Sequence, residues 1–237
     1  MTRELVYGRR PVREVLRAGK RQILELLVTE RALKAEPWLR ETPGIRIQIV
    51  RERALNEAAG TMEHQGVVAF CEPYRYADAL ELAAGERPLL ACLDQVTDPH
   101  NLGAVCRSAE GAGATGVVVV EHNAARVTAA VCKASAGAVE HLPVAVVVNL
   151  ARYLEAIKRP DLWVWAAVGD AETPVWSADF TTGTAFVFGA EGRGLRPGVR
   201  RVCDAAFSVP LAGVVESLNV SVTAGIALFE AARQRAV

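Results

Sequence analysis

The chain has 237 residues, 51% of them hydrophobic and 23% charged, and its 27 Lys/Arg balance 27 Asp/Glu to a formal net charge of zero. That composition excludes a disordered or low-complexity chain, and no apolar run approaches the ~20 residues of a membrane-spanning helix. Cys71, Cys92, Cys106, Cys132 and Cys203 are scattered without CxxC spacing, which argues against a disulfide framework or a zinc cluster and for a reducing, cytoplasmic setting.

The N-terminus runs straight into charged residues, so no secretory signal is expected. Helix-like and strand-like segments then alternate. Pro11–Ala18 reads as a short helix stopped by Gly19, Ile23–Thr29 as a strand, Arg31–Arg40 as a helix and Ile45–Val50 as a strand. Glu52–Ala59 is a helix closed by Gly60, and Gly66–Cys71 another strand. This is a small α/β unit, residues 1–72. Residues 73–87 read as a linker that holds Tyr74, Tyr76 and a short Ala/Leu helix before the Gly85–Pro88 break.

From residue 88 to 237 the pattern changes. Nearly continuous apolar runs recur at Leu89–Leu93, Val117–Val120, Val144–Val148, Leu162–Val168, Ala185–Phe188 and Ala205–Val209, as in strands covered on both faces by helices. Helix-like stretches separate them: Leu102–Ala112, Thr128–Ala136, Leu150–Lys158 and Pro197–Val202, with Leu218–Arg235 last. The fold class is α/β with a mainly parallel sheet, so ligands are expected beyond the carboxyl ends of the strands.

The neutral total hides an asymmetry. Residues 1–75 carry 14 Lys/Arg and 10 Asp/Glu, a net +4, and residues 76–237 carry 13 and 17, a net −4. Arg3, Arg9, Arg10, Arg13, Arg17, Lys20 and Arg21 crowd the first 21 residues. Such a run is either a solvated helix face or a surface for a polyanion.

Three strand-to-helix loops hold the polar residues. In Asp94–Ala109, Asp98-Pro99 sets a turn, Asn101 is a helix N-cap candidate and Arg107 lies on the helix that follows. The Gly-rich Phe188–Leu195 turn is neither a dinucleotide fingerprint nor a P-loop. Its Glu191 opposes phosphate and favours a neutral or cationic ligand. In Val209–Ser221, Gly213 makes a turn and Ser217 is read as the N-cap of the last helix, whereas Asn219 has no capping role. Cys106 beside Arg107 is either a thiol of lowered pKa or a packed core residue. His64, His100, His122 and His141 are dispersed, so no metal site is expected.

Taken together, these loops resemble the three motifs of the SpoU (TrmH-type) RNA 2′-O-ribose methyltransferases of the SPOUT superfamily. Thr97–Gly103 with Arg107-Ser108 looks like motif 1, Phe188–Gly192 with Gly194-Leu195 like motif 2, and Val209–Leu211 with Ser217–Ser221 like motif 3. The N-terminal unit, with Tyr7-Gly8 and His64-Gln65-Gly66-Val67, resembles the L30e-like RNA-binding domain of that family.

The resemblance implies a C-terminal trefoil knot that binds S-adenosylmethionine. It carries the cofactor positions over to Gly189, Val209 and Leu218, with Val168, Gly169, Gly192 and Leu211 in support. It implies Arg107 as the residue that handles the ribose 2′-hydroxyl, with Asn101, Glu191, Ser217 and Asn219 around it. Arg9, Arg10 and Arg13 become candidate RNA contacts. A homodimer is implied, with Val222, Ile226 and Phe229 of the last helix in either core or interface. The domain arrangement favours a guanosine of large-subunit rRNA, with tRNA or a non-catalytic RNA-binding protein as alternatives. Glu216 stands where close relatives carry a small polar residue.

Overall fold

The computed structural model describes residues 2–42 and 44–236. They divide into two compact units, one made of the residues up to Arg75 together with Val127–His141, the other of Tyr76–Arg126 together with the chain from Leu142 onward.

The first unit opens with β1 (Glu4–Tyr7), α1 (Arg9–Ala18), β2 (Ile23–Val28) and α2 (Glu30–Ala35). It continues with β3 (Ile47–Ile49), α3 (Glu52–Ala59) and β4 (Val67–Cys71). Helix α1 stops at Gly19, whose φ of 62° is left-handed and whose N–H bonds back to Val15, a conformation glycine adopts without strain. The expected Arg31–Arg40 helix is broken. Pro37 pushes Glu36 into extended backbone and starts a separate 3₁₀ turn over Pro37–Arg40, because the proline ring disfavours helical geometry in the residue before it. The strand order is β1-β4-β2-β3. β4 runs antiparallel to both neighbours, and β3 is parallel to β2. Strand β1 is an element the sequence reading did not contain.

The second unit follows with α4 (Ala79–Ala83), β5 (Leu89–Asp94), α5 (Pro99–Gly111) and β6 (Gly116–Val120). Helix α6 (Ala129–Ala134) and a 3₁₀ turn at Ala138–Glu140 come next. The sequence places these residues in the catalytic part, yet they fold with the first unit. The physical reason is a buried ion pair: Glu140 takes hydrogen bonds from Nε and Nη2 of Arg21, and both side chains are almost wholly covered. Burial lowers the Arg21 pKa, but the hydrogen bond and charge of Glu140 outweigh it and the net shift is upward. Arg21 is therefore not one of the free cations its position in the basic run suggests.

The chain then adds β7 (Val144–Val147), α7 (Leu150–Ile157), β8 (Leu162–Ala167), β9 (Gly183–Gly189), α8 (Pro197–Val202), β10 (Ala205–Phe207) and α9 (Val220–Arg235). Their sheet has the order β10-β8-β9-β5-β6-β7, and all of its pairings are parallel. Strands β6 and β7 are added on one side of β5 and β8–β10 on the other, which makes the carboxyl end shared by β5 and β9 the topological switch point where such sheets bind ligands. Phe180, Phe186 and Phe207 pack edge-to-face on this sheet, with centroids 4.8–5.8 Å apart. Each buried ring contributes roughly 1.5–3 kcal/mol of burial. Helix α9 buries Val220, Ala224, Ala227, Leu228 and Ala231, leaving Val222 and Phe229 about half exposed. Of the two roles left open for those residues, core is excluded within this chain.

Candidate active site

Parallel strands end on one edge, so the loops after β8, β9 and β10 meet there. They enclose a cavity of about 940 Å³, together with the start of α9. The seven positions named for the cofactor, Val168, Gly169, Gly189, Gly192, Val209, Leu211 and Leu218, all line it. Its described lining carries two charged side chains, Glu191 and Glu216, and no cation. Such a lining favours a cationic or neutral ligand over a phosphate. Gly189 is required by close approach. A Cβ there would lie 2.5 Å from the Leu195 nitrogen and closer still to the Gly194 carbonyl.

At the cavity edge three polar side chains from three loops bond to one another. Asn101 Nδ2 donates to Glu191 Oε1 at 3.1 Å. Asn219 Nδ2 donates to the same oxygen at 2.6 Å and to Asn101 Oδ1 at 2.9 Å. Asn219 Oδ1 accepts from the backbone N–H of Ser221 at 2.8 Å. Two expectations about caps are corrected here. Asp98, not Asn101, caps α5, accepting from His100 N–H at 2.8 Å, with Pro99 at the first helical position. Asn101 sits one turn in and is buried. Asn219, not Ser217, caps α9, because the chain stays non-helical until Val220. Ser217 is exposed and lines the cavity.

Arg107 is not part of this cluster. It is six residues beyond Asn101 on α5, about 120° away around the helix. Its side chain is exposed and has no hydrogen-bond or ion-pair partner among the described residues. A cation left free in solvent suits an anionic substrate that arrives from outside. Its neighbour Cys106 is wholly buried, and burial pushes its thiol up to about 12. The reactive-thiol alternative is thereby excluded, and Cys106 is packing.

In the first unit, most of the basic run is already paired. Arg3 meets Glu25 at 3.5 Å, Arg17 meets Glu14 at 3.1 Å and Arg9 meets Glu36 at 3.2 Å. Arg10 and Arg13 are exposed and have no such partner among the described residues. The Tyr7-Gly8 and His64–Val67 segments are neighbours across the β1–β4 ladder. Gly8 N–H bonds to Val67 O at 3.0 Å, and Arg9 Nε to Gln65 O at 3.0 Å. His64 accepts from Gly66 N–H through Nδ1 at 3.0 Å and so donates through Nε2 to Asn56 Oδ1 at 2.7 Å. Burial holds its pKa below the usual imidazole range.

The description of the SpoU rRNA Methylase family matches residues 88–229. This chain belongs to that family. A second family description, RNA 2′-O ribose methyltransferase substrate binding, matches residues 5–77 of this SpoU protein. The 23S rRNA (guanosine-2′-O-)-methyltransferase RlmB of Vibrio cholerae is 40% identical over 99% of this chain and 98% of its own length. The Escherichia coli protein of the same name is 37% identical over 98% of this chain and 99% of its own. Among solved structures, the SpoU methyltransferase AviRb from Streptomyces viridochromogenes in complex with AdoMet superimposes with a TM-score of 0.84 at 28% identity. It covers 99% of this chain and 91% of that one.

Two residues of the SpoU site carry no role in the sequence reading. Asp94, the last residue of β5, is buried, and its carboxylate accepts from Arg196 N–H at 2.9 Å and Arg196 Nε at 2.7 Å. The available signal was an acidic residue ending a strand of otherwise unbroken apolar character. The partner lies 102 positions away and has no local signature.

Proposed function

We propose that this protein transfers a methyl group from S-adenosylmethionine to the 2′-hydroxyl of a guanosine ribose in 23S rRNA. One observation carries the reading. The cofactor positions named from sequence line a single cavity, and Asn101, Glu191 and Asn219 form a bonded cluster at its edge. The residues suit the cofactor: the cavity is within the ~300–1,000 Å³ of small-molecule sites, and its charged lining is acidic, matching a sulfonium cation. S-adenosylmethionine supplies the activated methyl group.

The chain supplies position and charge. A ribose hydroxyl is a weak nucleophile near neutral pH and must be oriented and relieved of its proton. Arg107, free and facing solvent, binds a phosphate of the incoming strand and so sets the hydroxyl. Before it can take the hydroxyl proton, the guanidinium must give one of its own protons to solvent as the water-excluding site assembles. Glu191 is held by two amide donors, which orient its carboxylate and leave its charge on the cavity.

The finer features belong to the same reading. The loops after β8, β9 and β10 converge on one cavity, as a C-terminal trefoil knot requires. Residues 1–72 act as an L30e-like RNA-binding domain, joined through residues 73–87 to the catalytic part at 88–237, whose segment Val127–His141 folds with the first unit. Arg10 and Arg13 are its free cations, with Arg9 engaged to Glu36. Half-exposed Val222 and Phe229 on α9 suit a homodimer contact. Ribosomal RNA as substrate puts the work in the cytoplasm, and no helix among the described residues is long and apolar enough to cross a membrane.

The test is to map ribose methylation on RNA from a deletion strain and restore it with purified protein. A single guanosine of 23S rRNA losing and regaining its 2′-O-methyl group is the expected result. A lost site in tRNA overturns the substrate, and no S-adenosylmethionine binding by calorimetry overturns the reaction.

A further inference from the structure

The turn that carries Glu191 leaves β9 at Gly189 and ends at Arg196. Asp94 and Gly189 are register partners at the ends of β5 and β9. Asp94, with a side chain 0% exposed, binds Arg196 through its backbone N–H, its Nε and its Nη2, the last at 2.6 Å. The turn is also closed on itself, with Gly194 N–H bonded to Ala190 O at 2.9 Å. Both ends of the Gly189–Arg196 turn are thus tied to one point on the sheet, the start by strand pairing and the end by a buried carboxylate.

We infer that Asp94 and Arg196 are positioning residues that clamp this turn, setting Glu191 against Asn101 and Asn219 and holding the Gly189–Gly192 wall of the cavity. Neither residue lines the cavity, so both act through the turn. A carboxylate removed from water holds a guanidinium strongly when several hydrogen bonds converge on it. The planar fork of Arg bonds through two nitrogens at once while its own backbone N–H supplies a third donor, and Lys cannot reproduce that geometry. A turn tied at both ends loses little further freedom when a ligand fills the cavity, which is how a fixed site favours binding.

This inference rests on the methyltransferase reading, and the experiment separates the two. Arg196→Ala, Arg196→Lys and Asp94→Asn are compared with the full-length wild type. The readouts are S-adenosylmethionine affinity by calorimetry, single-turnover methyl transfer, thermal midpoint, and amide exchange of residues 189–196. In Arg196→Ala, cofactor affinity is expected to fall about tenfold and single-turnover rate further, through misplaced Glu191, together with the fall in midpoint that follows when a buried carboxylate loses its partner. Arg196→Lys recovers part of the affinity. Amide exchange over 189–196 speeds up in Arg196→Ala whether or not the cofactor is the one named. If the wild type does not bind S-adenosylmethionine but exchange still speeds up, the clamp stands and the methyltransferase reading falls. If the wild type binds it and Arg196→Ala binds and turns over within twofold, the positioning role is wrong. An Asp94→Asn/Arg196→Ala double variant that binds the cofactor as wild type does also overturns it, since the loss in Arg196→Ala is then the cost of an unpaired buried charge. Because Arg196→Ala removes the exposed partner, the test survives if Asp94→Asn fails to fold.

Discussion

The side-chain amide of Asn219 donates to Glu191 at 2.6 Å while its carbonyl oxygen caps helix α9 through Ser221 N–H. One residue therefore links the start of the last helix to the carboxylate of the Gly-rich turn. The two jobs can be separated by substitution. Asp keeps the cap but replaces the donor with a second carboxylate, and Ala loses both. Asn219→Asp is expected to hold its thermal midpoint better than Asn219→Ala, which loses about 1 kcal/mol of capping. Both should lower single-turnover methyl transfer by roughly tenfold or more, since a hydrogen bond to a charged group contributes ~1.5–3 kcal/mol.

Gly189→Ala sets a methyl group against the backbone of Gly194 and Leu195. Neither peptide can yield without opening the Ala190–Gly194 closure. Overpacking of this kind costs ~1–3 kcal/mol. Calorimetry should show at least a tenfold weaker S-adenosylmethionine affinity, with the far-ultraviolet spectrum unchanged.

Arg107 has no partner to lose among the described residues. Arg107→Ala should therefore change stability by no more than ~0.5 kcal/mol and leave cofactor affinity at the wild-type value. Methyl transfer to RNA should fall by about two orders of magnitude, as expected when an orienting and charge-stabilising group is removed. Undiminished transfer would remove Arg107 from the mechanism.

For RNA binding, Arg10 and Arg13 are expected to count for more than Arg9, whose guanidinium already serves Glu36 and Gln65. Arg10→Gln with Arg13→Gln should reduce the slope of log affinity against log salt by about one for each phosphate no longer neutralised. Filter binding across a salt series reads this directly, and cofactor affinity serves as the unchanged control.

The Arg21–Glu140 pair fastens the 127–141 segment into the first unit. Glu140→Ala leaves a buried guanidinium with the partly exposed Glu4, 3.2 Å away, as its carboxylate partner among the described residues. Breaking a buried pair from one side costs ~3–5 kcal/mol. Replacing both residues with Met and Leu should cost far less. Denaturant unfolding of the two variants checks the ordering.

Element positions were largely legible from local pattern. The apolar runs became β5–β10, Pro197–Val202 formed the expected helix, and Gly19 and Gly60 end their helices in left-handed backbone. What failed locally failed for local reasons that the pattern understated. Pro37 splits its helix, and β1 lies within the charged N-terminal run. The caps were misassigned because several side chains near each helix start could serve, and the backbone decides which one does. Asp98 and Asn219 won where the chain turned helical directly after them.

The site divides the same way. Sequence by itself determined the residue types and their loops, because a parallel sheet sends every strand-end loop to one edge whatever the details. It also determined the family, through three linked motifs. Only the tertiary structure decided which polar groups bond to which. Asn101, Glu191 and Asn219 lie up to 118 positions apart, and Asp94 meets Arg196 across 102. It alone showed that much of the basic run is already neutralised and that Glu140 draws its segment out of the domain in which it was read. Hydrophobic period and turn chemistry act over a few residues and are written locally. Ion pairs and hydrogen bonds between distant residues depend on the register in which whole strands pack, and nothing short of the folded chain sets that.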